Sequence, residues 1–184
     1  MRIIAGSAGG LRLDCPDGIA RPMMDRVRGA VFSSLGEAVA DARAVDLFAG
    51  SGAIGIEALS RGAQSCVFVD QNRKAADVIR RNLAHAKLSG TVRLQDVAKF
   101  IGQAGVDSFD LVFADPPFAL APDDPAHPAR LLAGEELARC VAPGGFFVVE
   151  LPQEPPEGNA SWTLLRCRRY GQAWVAIYRR PPNE

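Results

Sequence analysis

The stretch Asp46–Gly55 reads DLFAGSGAIG, and it is the part of the chain that decides the fold. It follows the small apolar run Ala42–Val45, which indicates a buried strand, and its glycines at 50, 52 and 55 have the spacing G-x-G-x-x-G. Glycine permits a tight turn and a close approach of the backbone to a ligand, and a helix that begins there offers unpaired N–H groups. The stretch therefore predicts a strand-to-helix junction that holds a ligand, although the motif alone is weak evidence.

An acid at the end of the next predicted strand strengthens this interpretation. The apolar run Cys66–Val69 ends at Asp70, fifteen positions after Gly55. An acid in that place can accept hydrogen bonds from both hydroxyls of a ribose. Dinucleotide dehydrogenases share the glycines and the acid, so these features predict a nucleotide-like ligand without fixing the reaction.

A third feature separates the chain from dehydrogenases. The apolar run Phe109–Ala114 predicts a buried strand that stops at Asp115-Pro116-Pro117-Phe118. The prolines fix φ, remove two backbone donors and stiffen the residues before them. The resulting ledge presents the Asp115 carboxylate, the Pro116 carbonyl and the Phe118 ring, which could accept both hydrogens of a planar amino group and stack on its ring. A strand-terminating turn with an incidental aromatic residue remains open.

Composition limits the class of protein. The chain has 184 residues, of which 48% are hydrophobic and 23% charged, as expected for one globular domain with a sizeable core. No apolar run approaches the ~18 residues that a membrane helix needs, and no signal-peptide pattern is present, so we expect a cytoplasmic protein. The four cysteines are far apart and the two histidines stand alone, which predicts reduced thiols and no metal site.

Charge is unevenly distributed although its formal sum is zero. Residues 1–30 carry five arginines against three acids, and residues 160–184 carry five against one. Basic ends around an acidic centre fit an RNA-binding surface built from the two termini. A scatter of solubilising charge remains the alternative. Arg166 and Arg168 alternate along a predicted strand and would share one of its faces.

Strand and helix patterns alternate along the chain. Residues 2–5 and 10–14 predict a short N-terminal β-hairpin, and Asp25 predicts the N-cap of a helix that runs to about Glu37. Strands are predicted near 43–48, 65–70, 91–95, 109–114, 146–151, 162–169 and 173–180. Helices are predicted near 53–61, 72–88, 96–103 and 129–141. This order predicts an α/β fold with a mostly parallel seven-stranded sheet and helices on both faces, in one domain (1–184) with a hairpin extension (1–20) and a Rossmann-like core (21–184).

With these motifs identified, the chain resembles the class I S-adenosylmethionine-dependent methyltransferases. Within them it is most similar to the bacterial family that methylates the exocyclic N2 amine of a guanine in small-subunit (16S) ribosomal RNA. The resemblance runs from Met1 through the final strand. The motifs that carry it are Met1–Gly6, Arg21-Pro22 with Asp25–Arg28, Asp46–Ala63, Asp115–Phe118, and Tyr170-Gly171 before a strand ending at Tyr178.

Three positions depart from the family pattern. The family usually has Thr where this chain has Met23, and Glu where it has Gly29. The acid at position 70 is more often Glu. Asp is shorter but can make the same two hydrogen bonds.

The resemblance implies roles for particular residues. It implies that S-adenosylmethionine lies across the carboxyl edge of the first strands, held by Asp46, Ala49, Gly50, Ser51, Gly52, Asp70, Asp96 and Val97. Asp96 would accept from the adenine amino group and the Val97 N–H would read a ring nitrogen, although Asp96 is also placed to cap a helix. Catalysis would fall to Asp115, Pro116 and Phe118, with the target guanine turned out of its stack. Arg21, Arg26 and Arg28 are candidates to bind RNA phosphates, with a solvated helix start as the alternative.

Other functions remain open at this point. A methyltransferase could act on an adenine amine of nucleic acid or on a protein glutamine amide, and those groups more often carry Asn or Asp before Pro-Pro-Tyr or Pro-Pro-Trp. A non-catalytic nucleotide-binding protein would explain the glycines and Asp70 but would leave the Asp115–Phe118 ledge without a role.

Overall fold

Eight strands form one sheet in the computed structural model, which describes residues 1–16 and 23–182. The strands are β1 (Arg43–Leu47), β2 (Ser65–Asp70), β3 (Thr91–Leu94), β4 (Phe109–Ala114), β5 (Val141–Leu151), β6 (Gly158–Asn159), β7 (Trp162–Tyr170) and β8 (Ala173–Arg179). Their order is β3-β2-β1-β4-β5-β8-β7-β6, with β1 to β5 parallel and the last three strands antiparallel to their neighbours.

The predicted count of seven strands is wrong because of β6. This strand has two residues, Gly158 and Asn159, which pair with Thr163 and Trp162 of β7. A glycine and an asparagine have low strand propensity and are typical of turns, so the sequence carries no signal for β6. The seven predicted strands all have counterparts, and the mostly parallel sheet is confirmed.

Six α-helices and one 3₁₀ turn surround the sheet in the described residues. They are α1 (Asp25–Leu35), the 3₁₀ turn (Gly36–Val39), α2 (Ala53–Ser60), α3 (Arg73–Ala86), α4 (Val97–Gln103), α5 (Pro128–Ala133) and α6 (Glu135–Cys140). The helix predicted near 129–141 is two helices, because Gly134 between them has extended backbone (φ −81°, ψ 148°). Asp25 is the first residue of α1 and not its N-cap, which is Met24, and its carboxylate pairs with Arg28 at 3.0 Å.

The alternation of side chains along each central strand divides the core into two layers. Leu111 and Phe113 of β4 pack with residues of α1, α2 and α3, whereas Val112 and Ala114 pack with residues of α4, α5 and α6. Successive side chains in a strand point to opposite faces, so an apolar run such as β4 must be covered on both sides. The prediction of helices on both faces is confirmed.

The N-terminal hairpin is not formed as predicted. Within residues 1–16 the only bridge is the antiparallel pair Arg2–Arg12, beside hydrogen bonds that join Ile3 to Gly10 and Leu11. The N–H groups of Ile4 and Ala5 donate to the Glu57 carboxylate of α2 at 2.7 and 3.1 Å. Glu57 thus satisfies two backbone donors of this segment and attaches it to α2, and the pairing within the segment stays limited to one bridge.

The chain reverses its direction of travel across the sheet between β1 and β4. From β1 it proceeds to β2 and β3 on one side, and then returns to β4 and β5 on the other. Leu47 and Ala114, the last residues of β1 and β4, are register partners, so the loops that follow them begin side by side. Such a switch point opens a crevice at the carboxyl edge of the sheet, which is where open α/β folds bind ligands.

Candidate active site

One large cavity of about 770 Å³ occupies this crevice. A volume of that size is within the range of small-molecule sites, roughly 300–1,000 Å³. Of the predicted site residues, those lining it are Asp46, Ala49, Gly50, Ser51, Asp70, Asp96, Val97, Asp115, Pro116 and Phe118. The structure therefore brings together residues that the sequence separates by up to about seventy positions.

The glycine loop forms one wall of the cavity. Gly50 and Gly52 have φ of +55° and +77°, and the Gly52 N–H donates to the Ala49 carbonyl at 2.6 Å. Gly52 does not line the cavity itself but is the N-cap of α2. A Cβ there would lie 3.2 Å from the Ile79 side chain, and L side chains disfavour this φ, so glycine is required for the turn that brings Ala49 to Ser51 against the cavity.

Asp46 is buried beneath this loop, with 1% of its surface exposed. Its carboxylate accepts a hydrogen bond from the Gly55 N–H at 2.9 Å, which joins β1 to the first turn of α2. Burial raises the pKa of Asp46 well above its usual range, and the nearby Asp115 and Asp70 carboxylates raise it further. The residue thus holds the loop in place from the cavity floor.

Asp70 joins the end of β2 to the same loop. One carboxylate oxygen accepts from the Gly50 N–H at 2.9 Å and the other from the Asn72 N–H at 2.8 Å. Each carboxylate oxygen has two lone pairs, so both retain capacity toward a ligand in the cavity. Asp70 is therefore held in one orientation before any ligand binds.

Asp96 is the N-cap of α4. Its Oδ1 accepts from the Lys99 N–H at 2.9 Å, so the capping role considered for this residue is confirmed. Val97 follows as the first residue of α4, and both residues line the cavity. Capping uses one carboxylate oxygen and leaves the other available, so capping and ligand binding are compatible.

The proline ledge lies at the end of β4, on the far side of the cavity from β2 and β3. The Oδ2 atom of Asp115 accepts from the Met23 N–H at 2.9 Å, and burial raises the pKa of this carboxyl to about 6. Pro116 is buried, whereas the Phe118 ring is 47% exposed beside the opening. Asp115 is thus a partly buried acceptor whose second oxygen accepts no hydrogen bond from the described residues.

Two features of the cavity were not predicted. Met23, Met24 and Val27 line it, because residues 23–24 and the start of α1 pack beside the ledge. Glu150, near the end of β5, also lines it, and burial together with the Asp115 charge raises the pKa of Glu150 to about 7. The signal for Glu150 was present in the sequence, as an acid at the carboxyl end of a predicted apolar strand.

The three candidate RNA-binding arginines differ. Arg21 lies outside the described residues, and Arg26 is exposed on α1. Arg28 is fully buried and lies 3.6 Å from Glu57 and 3.0 Å from Asp25. A guanidinium enclosed between two carboxylates cannot reach a phosphate, so the prediction for Arg28 is wrong.

Arg28 instead holds the N-terminal segment to the rest of the fold. Its Nη1 donates to the Met23 carbonyl at 3.3 Å and its Nη2 donates to the Arg2 carbonyl. Met23 is the residue whose N–H holds Asp115. The buried ion pair of Arg28 with Glu57 therefore supports the peptide that orients the ledge carboxylate.

Residues 1–16 and 23–182 contain no group of three or more His, Cys, Asp or Glu side chains arranged to hold a metal ion. No helix in this part of the chain is long and apolar enough to cross a membrane.

Comparisons with known proteins agree with this architecture. The "Ribosomal RNA small subunit methyltransferase D" of Escherichia coli (strain K12) is 33% identical over 191 residues, covering 98% of this chain and 90% of the relative. The protein of the same name from Haemophilus influenzae is 32% identical over 190 residues, covering 97% and 93%. A solved structure, "Putative methyltransferase yhhF from Escherichia coli", has a TM-score of 0.86 at 33% identity and covers 100% of this chain and 99% of its own.

A more distant structure shares the fold alone. A methyltransferase from Geobacter sulfurreducens has a TM-score of 0.64 at 14% identity, covering 85% of this chain and 79% of its own. The family model "Conserved hypothetical protein 95" (Cons_hypoth95) matches residues 1–179. The methyltransferase resemblance stated from the motifs is confirmed, and the chain belongs to the Cons_hypoth95 family.

Proposed function

We propose that this protein transfers a methyl group from S-adenosylmethionine to the exocyclic N2 amine of a guanine in small-subunit (16S) ribosomal RNA. The observation that carries the proposal is the Asp115 carboxylate, which stands at the end of β4 in the same cavity as the glycine loop. The relatives named ribosomal RNA small subunit methyltransferase D, which match nearly the whole chain, support the substrate class.

The cofactor would occupy the side of the cavity formed by β1, β2 and α4. The residues there suit its parts: a glycine loop without side chains, Asp70 with lone pairs toward ribose hydroxyls, and Asp96 with a free oxygen toward an adenine amine. Bound S-adenosylmethionine would supply an electrophilic methyl group on a positively charged sulfur. The acids of this cavity also complement that positive charge.

The ledge would hold the target amine. The N2 lone pair of guanine is delocalised into the ring, which makes the nitrogen a weak nucleophile. Hydrogen bonds from the two N2 hydrogens to Asp115 and to the Pro116 carbonyl would favour a pyramidal nitrogen whose lone pair points at the methyl group. Phe118 would stack on the base once it has left its own stack. Positioning of this kind contributes much of the acceleration in transfer reactions.

Asp115 would also receive the proton that N2 loses as the new N–C bond forms. Its pKa of about 6 leaves most of the carboxyl ionised at pH 7, so it can accept hydrogen bonds. The amine need not be deprotonated beforehand, because its proton becomes acidic only as the bond to the methyl carbon develops. The methyl group moves to N2, the sulfur keeps the electron pair of the broken bond, and the proton leaves through Asp115.

Arg26 is the remaining described candidate from the predicted phosphate-binding group. It is exposed on α1, close in sequence to Met23, Met24 and Val27 at the cavity wall. An exposed arginine on this helix could bind the RNA backbone while the target base enters the cavity.

The experiment that tests this function is transfer of labelled methyl from S-adenosylmethionine. Small ribosomal subunits, naked 16S RNA, DNA and total protein are offered separately, and the labelled RNA is digested to nucleosides. We expect label in N2-methylguanosine from RNA or subunits. Label in N6-methyladenosine or in protein would replace the proposal with one of the other methyltransferase activities, and binding without transfer to any of the four would favour a non-catalytic role.

A further inference from the structure

Glu150 stands beside Asp115 on the same face of the sheet. The register pairs Phe113 with Val148 and Ala114 with Val149, so Asp115 and Glu150 are the residues that follow the last pair, and both line the cavity. Phe113 and Val148 belong to the same core layer. Side chains two residues apart in a strand share a face, and neighbouring strands lie about 4.8 Å apart, so the two carboxyl groups enter the cavity as neighbours.

Glu150 is unpartnered within residues 1–16 and 23–182. Its carboxylate takes part in no hydrogen bond or ion pair with the described residues, although it is only partly exposed. Asp46 and Asp70, by contrast, each accept a backbone N–H of the glycine loop or its helix. A partly buried charge without a partner is unfavourable, so retaining one in a cavity suggests that a ligand supplies the missing donor.

The edge of guanine that carries N2 has such a donor. Its N1–H lies next to the N2 amine, so two adjacent acceptors can bind N1–H and N2–H together. We propose that Glu150 accepts a hydrogen bond from guanine N1–H while Asp115 and the Pro116 carbonyl hold the N2 amine. This assignment rests on the proposed function and makes Glu150 a specificity-determining residue.

The same arrangement would reject other bases. N1 of adenine carries a lone pair and no hydrogen at neutral pH, so it would face the ionised Glu150 acceptor to acceptor. A site built to bind a donor discriminates strongly against an analogue that lacks it, because the buried acceptor is then left unpaired. Glu150 thus gives the cavity a physical basis for choosing guanine over a base that also has an exocyclic amine.

The ionisation of Glu150 adds a second signature. The other titratable groups that line the cavity are Cys15, Asp46, Asp70, Asp96, Asp115, Asp124 and Tyr170. Asp115 and Glu150 titrate as an interacting pair, and the pKa of Glu150 is raised to about 7. The ionised carboxylate accepts from N1–H more strongly than the protonated carboxyl does, so transfer to guanine should increase as pH rises through about 7.

The test compares two bases that differ at N1. RNA substrates carry either guanine or 2-aminopurine at the modified nucleotide; 2-aminopurine has the N2 amine but no hydrogen on N1. We expect the parent protein to prefer guanine, and Glu150→Ala, which removes the acceptor, to reduce that preference by about 10- to 150-fold, the value of one hydrogen bond to a charged group. Glu150→Gln keeps a neutral acceptor but cannot ionise, so it should remove the upper step of the pH profile.

Controls separate this inference from the proposed function. Glu154→Ala and Glu154→Gln change an exposed acid four residues away and should keep the parent preference and pH profile. If the parent protein does not methylate guanine at all, the proposed function fails. If it does, and Glu150→Ala keeps the guanine preference or loses transfer equally on both bases, Glu150 does not bind N1–H and the inference is overturned. Thermal unfolding and cofactor binding confirm that each variant is folded.

Discussion

The two halves of the cavity use their carboxylates differently. On the side of β1, β2 and α4, Asp46, Asp70 and Asp96 each accept at least one backbone N–H, at 2.8–2.9 Å. On the side of β4 and β5, Asp115 accepts one, from Met23, and Glu150 accepts none from the described residues. The first group therefore organises the protein's own loops, and the second retains acceptors for another molecule.

This difference suggests how one cavity can serve two ligands. Acids that hold backbone amides are fixed in place before binding, which suits a cofactor that is bound the same way in every turnover. Asp115 and Glu150 have few partners and raised pKa values, so a ligand that donates hydrogen bonds to them stabilises them most. This property suits the recognition of one particular base. Asp46 shares the raised pKa because it is buried, so hydrogen bonding and not pKa distinguishes the halves.

The largest expected effect concerns the ledge. Asp115→Ala should reduce methyl transfer by about a hundredfold or more, on the order of the loss from removing one preorganised polar group. Affinity for S-adenosylmethionine should stay within a few-fold, because the side of β1, β2 and α4, where the cofactor is proposed to bind, is unchanged. Calorimetry and single-turnover transfer measure the two quantities. The exposed Asp123 provides a matched control as Asp123→Ala. Loss of cofactor binding together with transfer would show that the halves are not separate.

The reciprocal change is a substitution of Asp70, on the side of β1, β2 and α4 where the cofactor is proposed to bind. Asp70→Ala should weaken S-adenosylmethionine binding by ~10- to 150-fold, since a hydrogen bond to a charged group contributes roughly 1.5–3 kcal/mol. The dissociation constant is measured by calorimetry, with Asp77→Ala on the exposed side of α3 as the control. A dissociation constant equal to that of the parent would remove Asp70 from the cofactor site.

A smaller effect is expected on stability. Burial raises the pKa of Asp115 from 3.8 to about 6, so the folded protein binds this proton more tightly than the unfolded chain does. Folding stability should therefore fall as pH rises from about 4 to about 6. Asp115→Asn keeps an acceptor for the Met23 N–H but cannot ionise, so its stability relative to the parent should increase as pH rises from about 4 to above 6. Denaturant unfolding at pH 4 and pH 8 checks this, and a constant difference between the two proteins would contradict it.

The smallest expected effect concerns RNA docking outside the cavity. If Arg26 contacts one phosphate, Arg26→Ala should flatten the dependence of log K on log salt by roughly 0.7–0.9. Lys99→Ala removes an exposed cation from α4, whose core contacts lie on the opposite face of the sheet from those of α1, and should leave the slope unchanged. If Arg26→Ala and the parent show the same dependence of log K on log salt, Arg26 does not contact a phosphate and is only a solvated side chain.

Much of the fold could be predicted from local patterns. Each predicted strand has a counterpart because apolar runs bounded by turn residues leave few alternatives, and the acids at the ends of β1, β2 and β4 meet because parallel strands end at one edge. Two features were not predicted: the break of one helix at Gly134 and the two-residue strand β6. Both depend on tertiary contacts that outweigh weak propensities.

The arginines show the limit of counting charges. Arg28 was grouped with Arg21 and Arg26 because all three are basic and close in sequence. Yet Arg28, Val31, Phe32 and Leu35 have the i, i+3, i+4, i+7 spacing of one helix face, and that face is buried. The periodicity contained the correct answer, but the Glu57 carboxylate that makes the burial tolerable comes from another helix and could not be foreseen.

The hydrogen bond from Met23 to Asp115 has a consequence for the order in which the protein is completed during synthesis. The two residues are 92 positions apart, and the Glu57 carboxylate that holds Ile4 is 53 positions beyond it. The N-terminal segment is synthesised first, but its hydrogen bonds to Glu57 and Asp115 can form only after both acids have been synthesised. We therefore expect the loop Ala49–Gly52 to form early and the Asp115 carboxylate to be oriented late. A chain stalled before β4 would contain Met23 but not the carboxylate that its N–H binds.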